Sequence, residues 1–112
     1  MNVFVEIKQY IISFDIGKTS SHILTVDIYK DDGEYLDSFA VYASSEDIPE
    51  MFLKRLPDLS YHDIKFFTSE VETLVREPNN GTSFLDAMQR YRVSDNRLKE
   101  LGLKTPDDPG KN

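Results

Sequence analysis

Hydrophobic and polar residues alternate along the first part of the chain, a pattern typical of β-strands that bury one face. Apolar positions recur at every second residue over 3–7 and again over 10–16, and the phase changes at Lys8-Gln9. One extra residue moves a strand's apolar pattern from one face to the other. We therefore predict either a bulge at this point or a short lead-in before a strand over 9–16.

A β-hairpin is predicted after this strand. Residues 18–21 are polar and predict a turn, and the alternation over 22–30 predicts the next strand. The sequence Asp31-Asp32-Gly33 favours a tight turn, because Asp-Gly supplies the positive φ angles that such turns need. The returning strand is predicted over 34–43. Its predicted core residues are Leu36, Phe39 and Val41.

A helix is predicted over 47–56, where apolar residues recur at helical spacing. Asp47 and Glu50 have the spacing of a capping box, in which two side chains satisfy free backbone N–H groups. Pro49 falls in the first turn, where its missing N–H is tolerated. The helix is therefore expected to begin at Asp47.

The rest of the chain is predicted to hold one more strand and two more helices. The segment 62–69 is predicted as a fourth strand, followed by a short amphipathic segment over 71–75. Helices are predicted to begin at Ser83 and Ser94, since serine is a favoured N-cap. The second of them is expected to end at Gly102.

These elements predict an α+β fold: an antiparallel three- to four-stranded sheet, in the order β-β-β-α-β-α-α, with helices packed on one face. The chain length of 112 residues suits one domain, which we place over 1–103. The segment 104–112 holds two prolines, a glycine and no apolar residue, and is predicted as a disordered polar tail.

The net charge of the chain limits the kinds of partner that it is expected to bind. Twenty acidic residues against thirteen lysines and arginines give a net charge of −7, which disfavours direct binding to nucleic acid or an anionic membrane. The absence of cysteine excludes disulfides, thiol catalysis and cysteine-bound zinc. No apolar run has the length of a membrane span and no basic leader is present, so we predict a cytoplasmic protein.

The acidic residues are concentrated between positions 27 and 50, where Lys30 is the only basic side chain. Such a stretch predicts a docking surface for a basic protein partner, although the same charges also serve solubility and the start of a helix. The predicted partner-binding residues are Asp27, Asp31, Asp32, Glu34, Asp37, Glu46, Asp47 and Glu50. A smaller basic cluster surrounds Tyr91. Its members are Arg90, Arg92, Arg97 and Lys99. They are expected either to contact a partner or an RNA strand, or to form the solvent-exposed side of the helices.

A metal site is the alternative chemistry. The sequence Asp15-Ile16-Gly17-Lys18-Thr19 resembles the opening of ribonuclease H-like and actin-like folds, in which the acidic residue binds a divalent metal or lies near phosphates. Glu70, at the end of the predicted fourth strand, matches the place where resolvases of that superfamily hold a second metal-binding carboxylate. The resemblance implies Asp15 and Glu70 as catalytic residues; otherwise Asp15 is an ordinary turn residue.

A second resemblance is to small ferredoxin-like proteins of the antitoxin and CRISPR-associated endoribonuclease kind. The segment 10–15 is similar to their first strand with its terminal aspartate, and 38–41, 47–56 and 64–70 are similar to their second half. Where that fold has its first helix, near 20–30, this chain has the pattern of a strand. We therefore carry no activity over from this family.

Three functions follow as hypotheses. The first is a small inhibitor of the antitoxin, immunity or phage-encoded type, which covers a basic surface of a nuclease, toxin or nucleic-acid-binding complex and needs no metal or cofactor. The second is a metal-dependent nuclease that uses Asp15 and Glu70. The third is a structural or accessory subunit, in which exposed aromatic residues and the C-terminal helices form an assembly interface.

Overall fold

The computed structural model describes residues 2–16, 24–77 and 81–103. The predicted turn over 18–21, His22 and the predicted tail over 104–112 lie outside the described residues. Four strands form one antiparallel sheet in the order β1-β2-β3-β4. Their bounds are β1 Asn2–Ile7, β2 Tyr10–Ile16, β3 Leu24–Lys30 and β4 Tyr35–Val41.

The change of phase at Lys8-Gln9 is a two-residue turn between separate strands, so the predicted bulge or lead-in is wrong. Lys8 has a φ of 55°, the left-handed conformation that tight hairpin turns use. Ile7 pairs directly with Tyr10, and directly paired residues lie on the same face of a sheet. The apolar pattern therefore restarts after the turn without a bulge.

Four helices follow the sheet: α1 Ile48–Leu53, α2 Tyr61–Arg76, α3 Gly81–Met88 and α4 Asp95–Glu100. A short 3₁₀ turn over Gln89–Tyr91 extends α3. The α+β class is confirmed, with all the described strands ahead of the first helix. None of the helices within the described ranges is long and apolar enough to cross a membrane.

The predicted strand over 62–69 is wrong, because this segment belongs to α2. Ser60 and Asp63 form a capping box that starts the helix, with each side chain accepting from the other residue's backbone N–H. The buried residues then recur at helical spacing. They are Ile64, Phe67, Thr68, Val71, Leu74 and Val75. Glu70 consequently lies in the middle of a helix and not at the end of a strand.

A helix is confirmed here, although α1 ends at Leu53 and not at residue 56. The predicted capping box at its start is wrong. Asp47 adopts a left-handed conformation with a φ of 53°, and its side chain makes no capping hydrogen bond. Pro49 does stand in the first turn, and Ile48 and Phe52 are buried as the helical spacing predicted. Burial of this apolar face and the proline in the first turn therefore stabilise the helix, without a side-chain cap.

The prediction that Leu36 is a core residue is wrong. The pairing of β3 with β4 shifts between Ile28 and Tyr29, so that Ile28 faces Asp37 while Tyr29 faces Tyr35. The extra residue in β4 is Leu36, and its side chain is 41% exposed. Phe39 and Val41, beyond the irregularity, are buried as predicted.

The sheet is covered on both faces. Helices α1, α2 and α3 pack against the face that carries Val5, Ile12 and Val26, and together they form the larger apolar cluster. Phe4 and Ile11, which alternate with these residues and so face the other way, pack with Leu98 of α4 in a second cluster. Three helices therefore share one face, as predicted, and α4 lies on the other.

The segment after α3 reaches the second face by passing the edge of β1. The backbone N–H of Val93 donates to the carbonyl of Phe4 at 2.8 Å, and Arg92 bridges to Val5. Ser94 caps α4 by accepting from the backbone N–H of Arg97, as predicted. This connection covers part of the β1 edge, whereas β4 pairs with β3 alone among the described strands.

Candidate functional site

The turn between β3 and β4 carries the densest group of acidic side chains. Asp31, Asp32 and Glu34, which we call the acidic tip, are all exposed. The backbone N–H of Lys30 donates to the carbonyl of Glu34 at 2.8 Å, and that of Gly33 donates to the carbonyl of Lys30 at 2.9 Å. These bonds make a tight turn, which Gly33 completes with a φ of 95°.

The backbone of the acidic tip is held from two sides. The β1–β2 turn provides one contact, because the backbone N–H of Asp31 donates to the carbonyl of Gln9 at 2.9 Å. The last helix provides the other: Arg97 donates to the carbonyl of Asp31 at 3.3 Å. The Asp32 carboxylate accepts from the backbone N–H of Glu34 at 3.0 Å. The tip therefore presents charged side chains on a backbone bonded to the rest of the molecule.

Exposed apolar side chains lie next to the acidic tip at the start of β4. Tyr35 is 57% exposed and Leu36 is 41% exposed. The ring of Tyr35 packs edge-on against that of Tyr29, with their centroids 5.8 Å apart. Partial burial raises the pKa of the Tyr29 phenol, and the charge of Asp27 and the neighbouring Tyr35 raise it further. Tyr29 thus supports Tyr35 from the second face of the sheet.

The eight predicted partner-binding residues do not form one surface. The acidic tip lies at one end of β4, and Glu46, Asp47 and Glu50 lie beyond the other end. The seven residues of β4 separate the two groups by about 20 Å. Arg76 of α2 binds the segment that leads to the second group, donating to the carbonyls of Ala43 and Ser45 at 2.7 and 2.9 Å.

The two remaining members, Asp27 and Asp37, point to different faces. Asp27 pairs with Ser13 and Ser38 and lies on the second face of the sheet. Asp37 faces the other way and forms an ion pair with Arg55, whose Nε is 3.3 Å from its carboxylate. The acidic stretch is therefore divided by the sheet, and the tip is the group that lies at the end of a hairpin.

Along β4 and just beyond it, nearby side chains accept hydrogen bonds from some of the backbone N–H groups. The Asp37 carboxylate accepts from the backbone N–H of Ser38 at 2.7 Å, and the Ser45 hydroxyl accepts from that of Tyr42 at 2.9 Å. The irregularity at Leu36 interrupts the strand further. Such features protect an edge against strand addition, so this region offers side chains to a partner more than backbone.

Asp15 and Glu70, the candidate metal ligands, are not brought together. Asp15 pairs with Asn2 and Thr25 on the second face, whereas Glu70 belongs to α2 on the first. The sheet lies between them. Within the described ranges, no group of three or more histidine, aspartate or glutamate side chains could hold a metal ion.

The predicted basic cluster also divides. Arg97 forms an ion pair with Glu6, with Nη2 3.2 Å from the carboxylate, and so helps to hold α4 on the sheet. Arg90 and Arg92 are exposed and have no ion-pair partner among the described residues. Between them Tyr91 packs on Phe66 of α2, with ring centroids 5.7 Å apart. We call Phe66, Arg90, Tyr91 and Arg92 the basic aromatic patch.

Sequence reasoning missed Tyr35 and Phe66 as surface residues. Phe66 lies in the segment predicted as a strand, but the helical spacing of the neighbouring apolar residues places it off the buried face. For Tyr35 the signal was its position directly after the acidic turn. Comparisons with family models, with curated proteins and with solved structures found no match to this chain.

Proposed function

We propose that this protein is a small binding protein that docks its acidic tip on a basic surface of another protein and inhibits that protein by covering the surface. A nuclease, a toxin or a nucleic-acid-binding complex has a basic surface of this kind. The observation that carries the proposal is a turn with exposed carboxylates and a backbone bonded to the rest of the molecule, next to exposed Tyr35 and Leu36 at the start of β4.

Electrostatics favours a basic partner. Three carboxylates lie within four residues, and Lys30, 3.5 Å from the Glu34 carboxylate, neutralises only part of that charge. The net charge of −7 adds a long-range field of the same sign. Complementary fields raise association rates and orient the partners before contact.

The braced backbone favours binding as well. Ordering a flexible loop at an interface costs free energy, and a turn that is already bonded to its neighbours avoids much of that cost. Tyrosine is enriched among the residues that dominate binding energy. Tyr35, packed on Tyr29 but more than half exposed, is positioned to supply the apolar part of the contact.

Capture from a host-cell extract tests the proposal, with a tip variant and a charge-matched control. Asp31→Lys combined with Glu34→Lys reverses two charges and leaves the hydrogen bond of Asp32 in place. Glu46→Lys combined with Glu50→Lys makes the same change of net charge at the other end of β4. Circular dichroism verifies that both variants are folded.

We expect the wild type and the control to retain the same basic protein in stoichiometric amount at moderate salt, and the tip variant to lose it. High salt releases it, since exposed charges are screened. Retention by the tip variant contradicts the proposal. Equal loss of the basic protein from both variants would mean that net charge, and not the acidic tip, determines binding. A wild type that retains no basic protein also contradicts the proposal.

A further inference from the structure

The acidic tip and the basic aromatic patch each combine exposed aromatic or apolar side chains with unbalanced charge, and the charges have opposite signs. The acidic tip adjoins Tyr35 and Leu36. The basic aromatic patch has Phe66, which is 41% exposed, and the half-buried Tyr91. Surfaces that pair charge with exposed aromatic rings are typical of protein contacts.

Arg90 and Arg92 differ from the other arginines of the chain. The chain has five arginines, and the remaining three all bond within the fold. Arg55 pairs with Asp37, Arg76 binds two carbonyls, and Arg97 pairs with Glu6. Among the arginines, only the side chains of Arg90 and Arg92 form no ion pair or hydrogen bond with a described residue, although the chain has more acidic than basic groups.

The acidic tip and the basic aromatic patch cannot satisfy each other within one molecule. Arg92 lies beside β1 at one edge of the sheet, and Tyr35 lies in β4 at the other. With strands about 4.8 Å apart, the two outer strands are separated by about 14 Å. Arg97, which does reach the tip, is already bonded to Glu6 and to the carbonyl of Asp31.

We infer that the basic aromatic patch of one copy of this protein binds the acidic tip of a second copy. In this contact Arg90 and Arg92 meet the carboxylates of Asp31 and Glu34, and the rings of Tyr35 and Phe66 approach each other. Because the two surfaces differ, the contact is head-to-tail. Such a contact either closes into a ring or forms an open assembly with a free tip at one end and a free patch at the other.

The inference goes beyond the proposed function, since it needs no second protein. The two are linked by the acidic tip, which serves both contacts. A basic partner bound at the tip therefore displaces the neighbouring copy. In the absence of that partner, self-association covers every tip except the free one at the end of an open assembly.

Sedimentation velocity across a concentration series, at about 50 mM salt, tests the inference. The patch variant is Arg90→Glu with Arg92→Glu. Its charge-matched control is Lys54→Glu with Lys99→Glu, at exposed lysines that form no ion pair with a described residue. Lys54 directly follows α1, and Lys99 lies in α4. The tip variant is again Asp31→Lys with Glu34→Lys.

We expect the wild type to associate as its concentration rises, and the patch and tip variants each to associate at least about tenfold more weakly. The control associates more strongly than the patch variant, at equal net charge. An equimolar mixture of the patch and tip variants regains association. The reversed patch of one variant then meets the reversed tip of the other, and the native tip meets the native patch, so opposite charges face each other at every contact.

A wild type that stays monomeric at low salt overturns the inference. So does a patch variant that associates as well as its control, or a mixture of the two variants that stays monomeric. Capture of a basic protein by the patch variant separates the two proposals: retention there leaves the proposed function standing whatever the outcome of the sedimentation experiment.

Discussion

At the scale of single residues, Gly33 allows the acidic tip to lie close to the segment that follows α4. Its φ of 95° lies in the left-handed region, which residues with a Cβ adopt only with strain. A Cβ at this position would stand 2.7 Å from the carbonyl oxygen of Leu101, closer than a carbon normally approaches. Glycine therefore serves both the turn and the close approach of the segment after α4.

Replacing Gly33 with alanine is expected to lower the free energy of unfolding by about 2 kcal/mol, since backbone strain and the contact with Leu101 add. Urea denaturation measures the change. Gly102→Ala is the matched control: its φ is 77°, but a Cβ there meets no atom within 4 Å, so we expect a loss of only about 1 kcal/mol. Equal losses for the two variants contradict the packing argument.

At the scale of elements, the start of α2 depends on Asp63. The pKa of Asp63 lies below its ordinary value, chiefly because the backbone N–H of Ser60 donates to its carboxylate. Desolvation raises the pKa by less than this bond lowers it, and the Ser60 hydroxyl, Lys8 and His62 each lower it further by smaller amounts. Lys8 approaches to 3.8 Å from the β1–β2 turn. The helix start and the sheet thus favour the ionised carboxylate.

Because folding lowers the pKa of Asp63, its contribution to stability is complete above the unfolded-state pKa, about 4, and is lost as the pH falls through the folded-state value. We expect Asp63→Asn to unfold with less dependence on pH than the wild type below about pH 4. Urea denaturation at a series of pH values measures this difference. An unchanged pH dependence in Asp63→Asn contradicts the assignment.

Ser60→Ala is the control for the same element. It removes the hydroxyl that accepts from the Asp63 backbone N–H but keeps the backbone N–H of residue 60, the largest influence on the carboxylate. We expect it to lose about 1 kcal/mol at neutral pH, as for other N-caps, and to keep most of the acid dependence.

At the scale of the whole molecule, the sheet has an apolar cluster on each face. The larger cluster lies under α1, α2 and α3, and the smaller joins Phe4 and Ile11 to Leu98 and Leu103. The smaller cluster also fixes the place of the acidic tip, since Arg97 and Leu101 contact the tip from the same segment. The candidate site therefore depends on contacts between the two ends of the chain.

Leu98→Ala is expected to lower the free energy of unfolding by about 2–3 kcal/mol, because the side chain is 4% exposed and its loss leaves a cavity in the smaller cluster. Leu36→Ala makes the same chemical change at an exposed position of β4 and should lower it by less than about 1 kcal/mol. Chemical denaturation measures the free energy of unfolding of both variants and so compares the two losses. Similar losses would place Leu36 in the core, as its sequence position first indicated.

Particular residues show how far the sequence predicts this structure. Phe39 and Val41 were placed correctly, because alternation within one strand reports which face is buried. Phe66 and Phe67 were not, since a short apolar run suits a strand or a helix and only the longer spacing through Val75 separates the two. Leu36 was misplaced by the pairing irregularity with β3, which the sequence of β4 does not show.

The sequence by itself determined the α+β class, the meander of strands, the Asp31-Asp32-Gly33 turn, the Ser94 cap and the acidic character of the molecule, because alternation, capping and turn formation act between near neighbours in the chain. Only the tertiary structure decided that the sheet separates Asp15 from Glu70, and that the acidic stretch divides at β4. It also decided that Gln9 and Arg97 brace the acidic tip. Those features arise from contacts between residues distant in sequence, which follow from how the layers pack.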